Sequence, residues 1–228
     1  MKARWLPALV AAGPILAFGF YAGSNLWLGA FTPALGLFGV TFVISELVRS
    51  AGRRYEKKLL RLWDGFPTTR ALRFRTDLPL LRFERQRKLV EGAVGYVLPS
   101  RELEDADPIE ADAEYATAVR TAIARVRAAE ADGSLLRAEN ASYGFRRNAR
   151  AIKPIAVAIS LLSIAANVYF GIGLGNYWAA AGTVFVQAAL LLFWIAFVTN
   201  SWVEEQAENF TERFFTVLAA NPTKSAAS

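Results

Sequence analysis

Two long stretches without charged residues dominate the hydrophobic pattern of the chain. No Asp, Glu, Lys or Arg occurs between Arg4 and Glu46, or between Lys153 and Glu204. One membrane-spanning helix needs about 20 apolar residues, so each stretch is long enough for two. Turn-forming residues (YAGSN and GIGLGN) interrupt the middle of each stretch. The pattern therefore predicts two transmembrane hairpins with four spans. The predicted spans are 5–22, 26–48, 153–172 and 177–199.

A cleaved signal peptide is the alternative interpretation of the N-terminal stretch, with Lys2 and Arg4 as its charged start. The apolar part is too long for this, and no charged mature chain begins where a cleavage site would fall. The sequence thus favours an all-α polytopic membrane protein. Its predicted parts are an N-terminal transmembrane hairpin (1–48), a helical cytoplasmic domain (49–152), a C-terminal transmembrane hairpin (153–200), and an amphipathic C-terminal helix and tail (201–228).

The segment between the hairpins shows helical periodicity with clear stop signals. The second span is predicted to continue as a stalk helix to Trp63, with a possible break at Gly52, and Gly65 and Pro67 end it. We expect Thr68 to cap a helix over 69–75, followed by a helix over 81–97, a loop over 99–108, a helix over 109–132, and a final helical piece over 135–150. Apolar residues in the helix over 109–132 predict a narrow packing seam. The seam residues are Ile109, Ala113, Ala116, Val119, Ile123 and Val126.

The C-terminal segment WVEEQAENFTERFFTVLAAN predicts an amphipathic helix. Its apolar face would contain Trp202, Phe210, Phe214 and Leu218, and four glutamates lie on another face. Because an acidic helix is poorly suited to an anionic lipid surface, we expect it to pack on the basic cytoplasmic domain.

The distribution of positive charge predicts the topology. All but four of the 26 Lys and Arg residues lie between Arg49 and Lys153, and both hairpin turns contain none. Positive residues next to spans favour the cytoplasmic side. We therefore expect a multi-pass protein of the bacterial inner membrane, in contact with membrane lipid, with both termini cytoplasmic.

The chain contains no Cys and no His. This excludes disulfides, thiolate zinc sites, cysteine nucleophiles and histidine acid–base chemistry. We predict that the protein is not an enzyme and has no catalytic residue, cofactor or metal site. The acidic run ELEDAD at 102–107 lacks the frame of a calcium loop, and an acidic helix start that complements the helix dipole is the favoured interpretation.

The cytoplasmic domain is electrically divided. Residues 46–101 contain fourteen basic and six acidic residues, whereas residues 102–132 contain three basic and nine acidic residues. One interpretation is that the two parts pair with each other and with phospholipid headgroups. The other is an anion site for a nucleotide or short oligonucleotide, since a helix start and arginine side chains both suit phosphate. The candidate residues are Thr68, Thr69, Arg70, Arg73, Arg75, Arg82, Arg85, Arg87 and Lys88. No GxxxxGK[ST] loop is present, so nucleotide hydrolysis is not expected.

Polar residues inside the predicted spans are few. Asn167 and Gln187 are the notable ones, and they would either line a narrow polar pore or hydrogen-bond between helices, which is the commoner use. Ion-coupled carriers usually place ionisable groups in mid-membrane. Because the predicted spans lack these, a transporter is disfavoured.

Two stretches, LWDGFPTTRALR at 62–73 and ENASYGFRRN at 139–148, occur together with the hairpin–domain–hairpin plan. The chain resembles small bacterial membrane proteins encoded beside nucleotidyltransferases in anti-phage loci, the Hailong-type channel effectors. The resemblance covers these 22 residues and implies a tetrameric ion channel controlled by a nucleic-acid-like product, with a nucleotidyltransferase as partner. The predicted function is a gated homo-oligomeric channel in anti-phage defence. The alternative is a non-conducting membrane scaffold whose cytoplasmic domain docks a protein partner.

Overall fold

The computed structural model describes residues 34–129 and 134–220, which form helices joined by turns and loops and contain no strand. This confirms the all-α prediction for the described part. Eight helices are numbered here in chain order: α1 Ala34–Leu62, α2 Pro67–Arg70, α3 Leu80–Val94, α4 Arg101–Ala106, α5 Pro108–Ala129, α6 Ser134–Gly173, α7 Tyr177–Ala196 and α8 Asn200–Ala220. The predicted span 5–22 and the first part of the span 26–48 lie outside the described residues.

Two of the helices, α6 and α7, are long and apolar enough to cross a membrane. Their large apolar side chains are mostly exposed: Trp178 is 91% accessible, Phe185 76% and Leu162 71%. A helix in the core of a soluble protein would bury such side chains, whereas a lipid-facing helix exposes them. Residues 174–176 join the two helices, and Gly175 adopts φ +63°, a left-handed conformation that glycine tolerates.

The described residues form two compact units. The first unit contains 34–57 and 141–203, and the second contains 58–129, 134–140 and 204–220. The first unit therefore holds both candidate membrane helices. The second unit holds residues 58–101 of the basic segment and the described residues of the acidic segment, 102–129.

In the first unit, α1 packs closely against α6. A Cβ atom added at Gly52 would lie 1.9 Å from the Asn148 Oδ1 and 3.3 Å from the Asn148 Cα. Glycine is required here because the two helices leave no room for a side chain. The possible break at Gly52 does not occur, since α1 is continuous through this position. The core beside this contact contains Val48, Ala149, Ile152, Ala156, Trp194 and Val198.

In the second unit, α5 is the central element and contacts α2, α3 and α4. Phe210, Phe214 and Leu218 of α8 are buried in the same hydrophobic cluster as Leu72, Val90 and Tyr115. This confirms that the C-terminal helix packs on the basic segment. The apolar face predicted from the periodicity of 201–220 is correct for these three residues, while Trp202 belongs to the first unit.

The packing seam predicted for α5 is partly wrong. Ile109 is 83% exposed and Ala113 is also exposed, whereas Ala111, Tyr115, Ala118 and Ala122 are fully buried. The buried face of α5 differs from the predicted seam because Tyr115 has the largest apolar surface on this helix. Its hydroxyl also hydrogen-bonds to buried partners. Val119 and Val126, in the second half of the predicted seam, are buried as expected.

Two further local predictions need correction. The predicted loop over 99–108 contains α4, whose N-cap Ser100 accepts a hydrogen bond from the Leu103 amide through its hydroxyl. The predicted helix over 69–75 is instead α2, which begins at Pro67 after Phe66 and has no side-chain cap. Thr68 therefore lies inside the helix, because Pro67 takes the first helical position, where its missing N–H costs nothing.

Candidate ligand-binding site

A buried arginine clamps the turn that follows α1. Arg73 donates from Nε and Nη2 to the two carboxylate oxygens of Asp112, both at 2.7 Å. Its Nη1 donates to the Asp64 carbonyl at 2.6 Å and to the Asp64 carboxylate at 2.7 Å. Asp64 adopts φ +53° and Gly65 φ +103°, so the guanidinium holds two left-handed residues in place. The bidentate pair with Asp112 gives Arg73 a structural role.

Arg87 is a second buried arginine with a structural role. Its guanidinium donates to the backbone carbonyls of Leu72 (2.8 Å) and Pro99 (2.7 Å), and to the Tyr115 hydroxyl (3.2 Å). The Cζ atom lies 4.5 Å from the centre of the Phe74 ring. These contacts join the segment after α2 to the loop before α4. A planar guanidinium serves both the carbonyls and the ring face, which lysine would not do.

Tyr115 links this arginine to the acidic segment. Its hydroxyl donates to the Glu104 carboxylate at 2.8 Å, and the same carboxylate accepts the Phe74 amide at 3.0 Å. Burial, opposed by the hydrogen bond from Arg87, raises the pKa of Tyr115 to about 12. The basic and acidic segments thus pair with each other through Arg73–Asp112 and through the Arg87–Tyr115–Glu104 chain. Pairing of the basic segment with the acidic segment is part of one of the two interpretations that the sequence leaves open.

Two other arginines, Arg70 and Arg82, form only long ion pairs with carboxylates. Arg70 lies 3.8 Å from the Glu204 carboxylate, and Arg82 lies 3.4 Å from the Glu212 carboxylate. All four side chains are at least one-third exposed. Exposed ion pairs of this length contribute only about 0–1 kcal/mol. Arg70 and Arg82 can therefore exchange these carboxylates for a ligand at little cost.

A cavity of about 310 Å³ lies between these two arginines in the second unit. Ligand sites commonly begin at about 300 Å³. It is lined by Pro67, Arg70, Ala71, Thr76, Asp77, Leu78, Arg82, Gln86, Glu208, Thr211 and Glu212. A neighbouring cavity of about 200 Å³ shares Arg70, Thr76 and Asp77 with it, and adds Trp63, Asp64, Arg73 and Arg75.

Gln86 is the unusual member of the lining. It is 95% buried, and its Oε1 has no hydrogen-bond partner among the described residues. A buried carbonyl without a partner costs about 1–3 kcal/mol. The Oε1 atom is itself buried, so the cavity does not expose it to a ligand. Sequence reasoning missed Gln86 because it lies within a run of basic residues. Its position one helical turn after Arg82 is the signal that would have drawn attention to it.

The structure separates the nine candidate anion-binding residues into groups. Only Arg70 and Arg82 line the larger cavity, and Arg70, Arg73 and Arg75 line the smaller one. Arg85 and Lys88 are exposed in a third, shallow depression of α3 beside Leu81, Glu84 and Leu89.

The remaining candidates do not reach either cavity. Thr68 and Thr69 are buried, and the four-residue α2 offers no N-terminal phosphate site. Arg87 is buried and engaged as described above. Carboxylate side chains therefore lie among the arginines of this site. The net charge of a sequence segment does not reveal this arrangement.

The acidic run becomes α4. Hydrogen bonds from its own backbone amide and from the Ser100 hydroxyl hold the pKa of Glu102 below its usual value. This is the helix-start arrangement that the sequence favours over a cation site. No group of three or more potential metal ligands occurs among residues 34–129 and 134–220.

In the first unit, Asn167 and Gln187 contact each other. The Asn167 Nδ2 donates to the Gln187 Oε1 at 3.3 Å and to the Ala180 carbonyl at 3.4 Å, and both amides are completely buried. This is the interhelical hydrogen bond that was expected as the commoner use of the two residues. The Asn167 Oδ1 has no partner within the described chain.

A polar network lies at the other end of α6, also within the first unit. Arg147 donates to the Glu56 carboxylate at 2.9 Å, and the Tyr143 hydroxyl donates to the same carboxylate at 2.9 Å. Burial and the Glu56 charge both raise the pKa of Tyr143. Tyr55 and Arg150 both donate to the Asn200 Oδ1, at 2.9 and 2.8 Å.

The stretches 62–73 and 139–148 fall partly on these structural contacts. The first contains Asp64, Gly65 and Arg73 of the clamped turn, and the second contains Tyr143 and Arg147 of the polar network. Each stretch therefore contains residues that hold one of the two units together.

Comparison with known proteins gives no relative for this chain. No protein-family model matches it, and neither the curated proteins nor the solved structures contain a match. The chemistry of the two units is therefore the basis on which a function can be proposed.

Proposed function

We propose that this protein is a homo-oligomeric membrane channel whose second unit senses an anionic nucleotide-type ligand in the cytoplasm. The observation that carries the sensing part is the cavity between Arg70 and Arg82, two arginines that are exposed and only loosely paired. Phosphate accepts bidentate hydrogen bonds from arginine, so a phosphorylated ligand competes well with the present carboxylate partners.

The membrane part of the proposal rests on α6 and α7. These helices expose large apolar side chains, and their main polar residues, Asn167 and Gln187, face each other. One α6–α7 pair therefore offers no polar path of its own. A conducting path requires several copies around a common axis, and a tetramer is the stoichiometry that the family resemblance implies.

The proposed topology has four spans in the bacterial inner membrane with both termini in the cytoplasm. The distribution of Lys and Arg supports this arrangement. The resemblance further assigns the channel to anti-phage defence, with a nucleotidyltransferase as the source of the ligand.

Conductance in a planar bilayer tests the proposal. The purified full-length protein is measured before and after addition of mononucleotides and short oligonucleotides, alongside Arg70→Ala and the matched control Arg85→Ala. We expect a current that the ligand changes in the wild type and in Arg85→Ala, but not in Arg70→Ala. Arg85 is the appropriate control because it is exposed and lies outside the cavity. A protein that is monomeric in mild detergent and passes no current contradicts the proposal.

A non-conducting scaffold is the second candidate function. It is favoured by an exposed apolar edge at the start of α3, where Leu80 is 68% and Leu81 83% accessible, and Leu81 lies beside two cations and one carboxylate: Arg85, Lys88 and Glu84. Leucines flanked by cations suit an acidic protein partner. Recovery of a stoichiometric partner in a pull-down, lost in Leu81→Asp and indifferent to nucleotides, would support the scaffold.

A further inference from the structure

We infer that an exposed basic face of α1 binds the anionic headgroups of phospholipids at the cytoplasmic surface of the membrane. This basic face consists of Arg53, Arg54 and Lys57, which all belong to the first unit. The inference rests on the membrane location that the proposed function gives to α6 and α7. It requires neither a channel nor a nucleotide ligand.

The charges of the first unit are collected at one end of its apolar helices. Its described residues carry eight basic and two acidic side chains, and all ten lie within 46–57 and 146–153. The remainder of α6 and the whole of α7 carry no charge. The unit therefore combines an excess of positive charge with an apolar surface that is long enough to cross a bilayer. Such a combination suits a membrane with negatively charged headgroups.

Lys153 marks the boundary between the charged and the apolar parts of α6. Its Nζ donates at 3.0 Å to the carbonyls of Ile195 and Val198, at the C-terminal end of α7. Val48 of α1 belongs to the same hydrophobic cluster as Ile152 and Val198. Val48 therefore lies at the level where the apolar helices end.

From Val48 onwards, α1 leaves this boundary along the charged part of α6. Gly52 lies against Asn148, and the Glu56 carboxylate accepts a hydrogen bond from the Tyr143 hydroxyl. The partners of α1 thus move back along α6 as α1 advances, so the two helices are antiparallel. Successive residues of α1 after Val48 lie progressively farther from the apolar surface.

The rise of the helix gives the depth of each cation. At 1.5 Å per residue, Arg53 and Arg54 lie about 8–9 Å beyond Val48, and Lys57 lies about 14 Å beyond it. The headgroup layer on one side of a bilayer is about 5–8 Å thick, and long basic side chains extend their charged ends towards it. Arg53 and Arg54 can therefore contact headgroups, while Lys57 lies within one Debye length of about 8–10 Å from them.

The basic face lies on the side of α1 that does not pack against α6. Its three side chains are exposed and form no hydrogen bond or ion pair with another described residue. Leu47 is 62% exposed and lies about two turns before Arg54 on the same side of the helix. The nearby Glu46 carboxylate lies 3.7 Å from the Arg49 guanidinium, which offsets its charge. The exposed side of α1 thus changes from apolar to basic in the direction in which a lipid changes from acyl chain to headgroup.

This continuity favours a lipid over a free anion. An inorganic phosphate would meet only solvated cations, whereas an anionic lipid also places its acyl chains against the exposed apolar residues of the same unit. Each basic residue close to an anionic membrane surface strengthens the association about fivefold. Two contacting arginines should therefore produce a preference for anionic over zwitterionic lipid of about tenfold or more.

Native mass spectrometry of the full-length protein in mild detergent tests the inference. The probes are phosphatidylglycerol and phosphatidylcholine with identical acyl chains, so that only the headgroup charge differs, and inorganic phosphate as competitor. We expect phosphatidylglycerol to bind the wild type with a Kd about tenfold or more below that of phosphatidylcholine. Inorganic phosphate should not displace it at equal concentration.

Three double variants identify the cations that are responsible. Arg53→Gln/Arg54→Gln should raise the Kd of phosphatidylglycerol about tenfold or more and remove the preference, and Arg53→Lys/Arg54→Lys should retain most of it because the charge remains. The matched control Arg85→Gln/Arg101→Gln removes the same charge from exposed positions of the second unit and should change the Kd by less than about twofold. All three should keep the Tm of the wild type in lipid-free detergent, since the substituted side chains are exposed.

The outcomes separate this inference from the proposed function. A lipid preference that depends on Arg53 and Arg54, in a protein that passes no current, upholds the lipid contact and refutes the channel. A ligand-gated current in a protein that binds both lipids equally overturns the inference and leaves the channel standing. The inference is also overturned if the preference survives Arg53→Gln/Arg54→Gln, if the control loses it to the same extent, or if inorganic phosphate displaces the lipid at equal concentration.

Discussion

The clamp formed by Arg73 provides the sharpest test of the structural reasoning. Its guanidinium makes four hydrogen bonds of 2.6–2.7 Å to Asp64 and Asp112, and its side chain is only 5% exposed. Removing one partner of a buried ion pair costs about 3–5 kcal/mol. Because the Asp64 side chain is 78% exposed and that of Asp112 30%, Arg73→Ala should fall at the lower end, at about 3 kcal/mol.

Arg75 is a matched control for this prediction. It lies 3.8 Å from the Asp64 carboxylate and 3.5 Å from that of Asp112, but its side chain is 48% exposed. An exposed pair of this kind contributes at most about 1 kcal/mol. Two arginines that approach the same two carboxylates thus differ severalfold in their expected contribution, and burial and bidentate geometry are the reasons.

Thermal unfolding of the full-length protein in detergent, followed by tryptophan emission, measures the difference. A chain of this size loses about 2–4 °C in Tm per kcal/mol. We therefore expect Arg73→Ala to lower the Tm by about 6–12 °C, and Arg75→Ala by less than about 4 °C. Trp63, one of the six tryptophans, is buried in the same unit and lines the cavity beside the clamp, so part of the emission reports on this region.

A double-mutant cycle with Asp112→Asn isolates the pair itself. Residues that share a hydrogen-bonded network show coupling energies of about 0.5–3 kcal/mol, and we expect the cycle for Arg73 and Asp112 to reach at least 1 kcal/mol on this scale. Equal effects of the two alanine variants, or strict additivity with Asp112→Asn, would refute the view that Arg73 clamps this turn.

Three further predictions follow from packing, ionisation and hydrogen bonding. Gly52→Ala should lower the Tm, because overpacking costs about 1–3 kcal/mol and exceeds the helix propensity gained. Gly92→Ala is the control: an added Cβ there meets no atom within 4 Å, so the Tm should stay unchanged or rise. Tyr115 has a pKa of about 12 in the folded state against 10.0 for an ordinary tyrosine, the value expected in the unfolded chain. Between these two values only the unfolded state ionises, so the free energy of unfolding should fall as pH rises through this window. The difference in urea-unfolding free energy between wild type and Tyr115→Phe should therefore shrink above pH 10, and a difference that stays constant contradicts the assignment. Asn167→Leu should weaken the α6–α7 contact with Gln187 by about 1 kcal/mol, measured as a lower Tm in detergent, and an unchanged Tm would show that this hydrogen bond does not stabilise the helix pair.

Much of the fold could be predicted because helical periodicity and apolar length are local properties. The charge-free stretch after Lys153 indicates where α6 ends and α7 begins, but α6 starts at Ser134, because the helical piece predicted over 135–150 is continuous with the predicted span. The acidic and apolar faces of 201–220 indicate where α8 packs. Gly65 and Pro67 mark the end of α1 because their backbone preferences act within the turn itself.

The candidate site was predicted only in part. The sequence identifies Arg70 and Arg82, but it does not separate them from Arg73 and Arg87. All four are arginines in a basic segment, and only burial and partner geometry distinguish a structural guanidinium from one that is available to a ligand.

The sequence by itself determined the helical class, the apolar helices and the segregation of charge, because each depends on residue type and spacing along one segment. The tertiary structure decided which charges remain available for binding. Asp112 reaches Arg73 from a helix 39 positions away, and Glu212 reaches Arg82 from 130 positions away. Pairing and desolvation depend on distances between segments, which no local pattern contains.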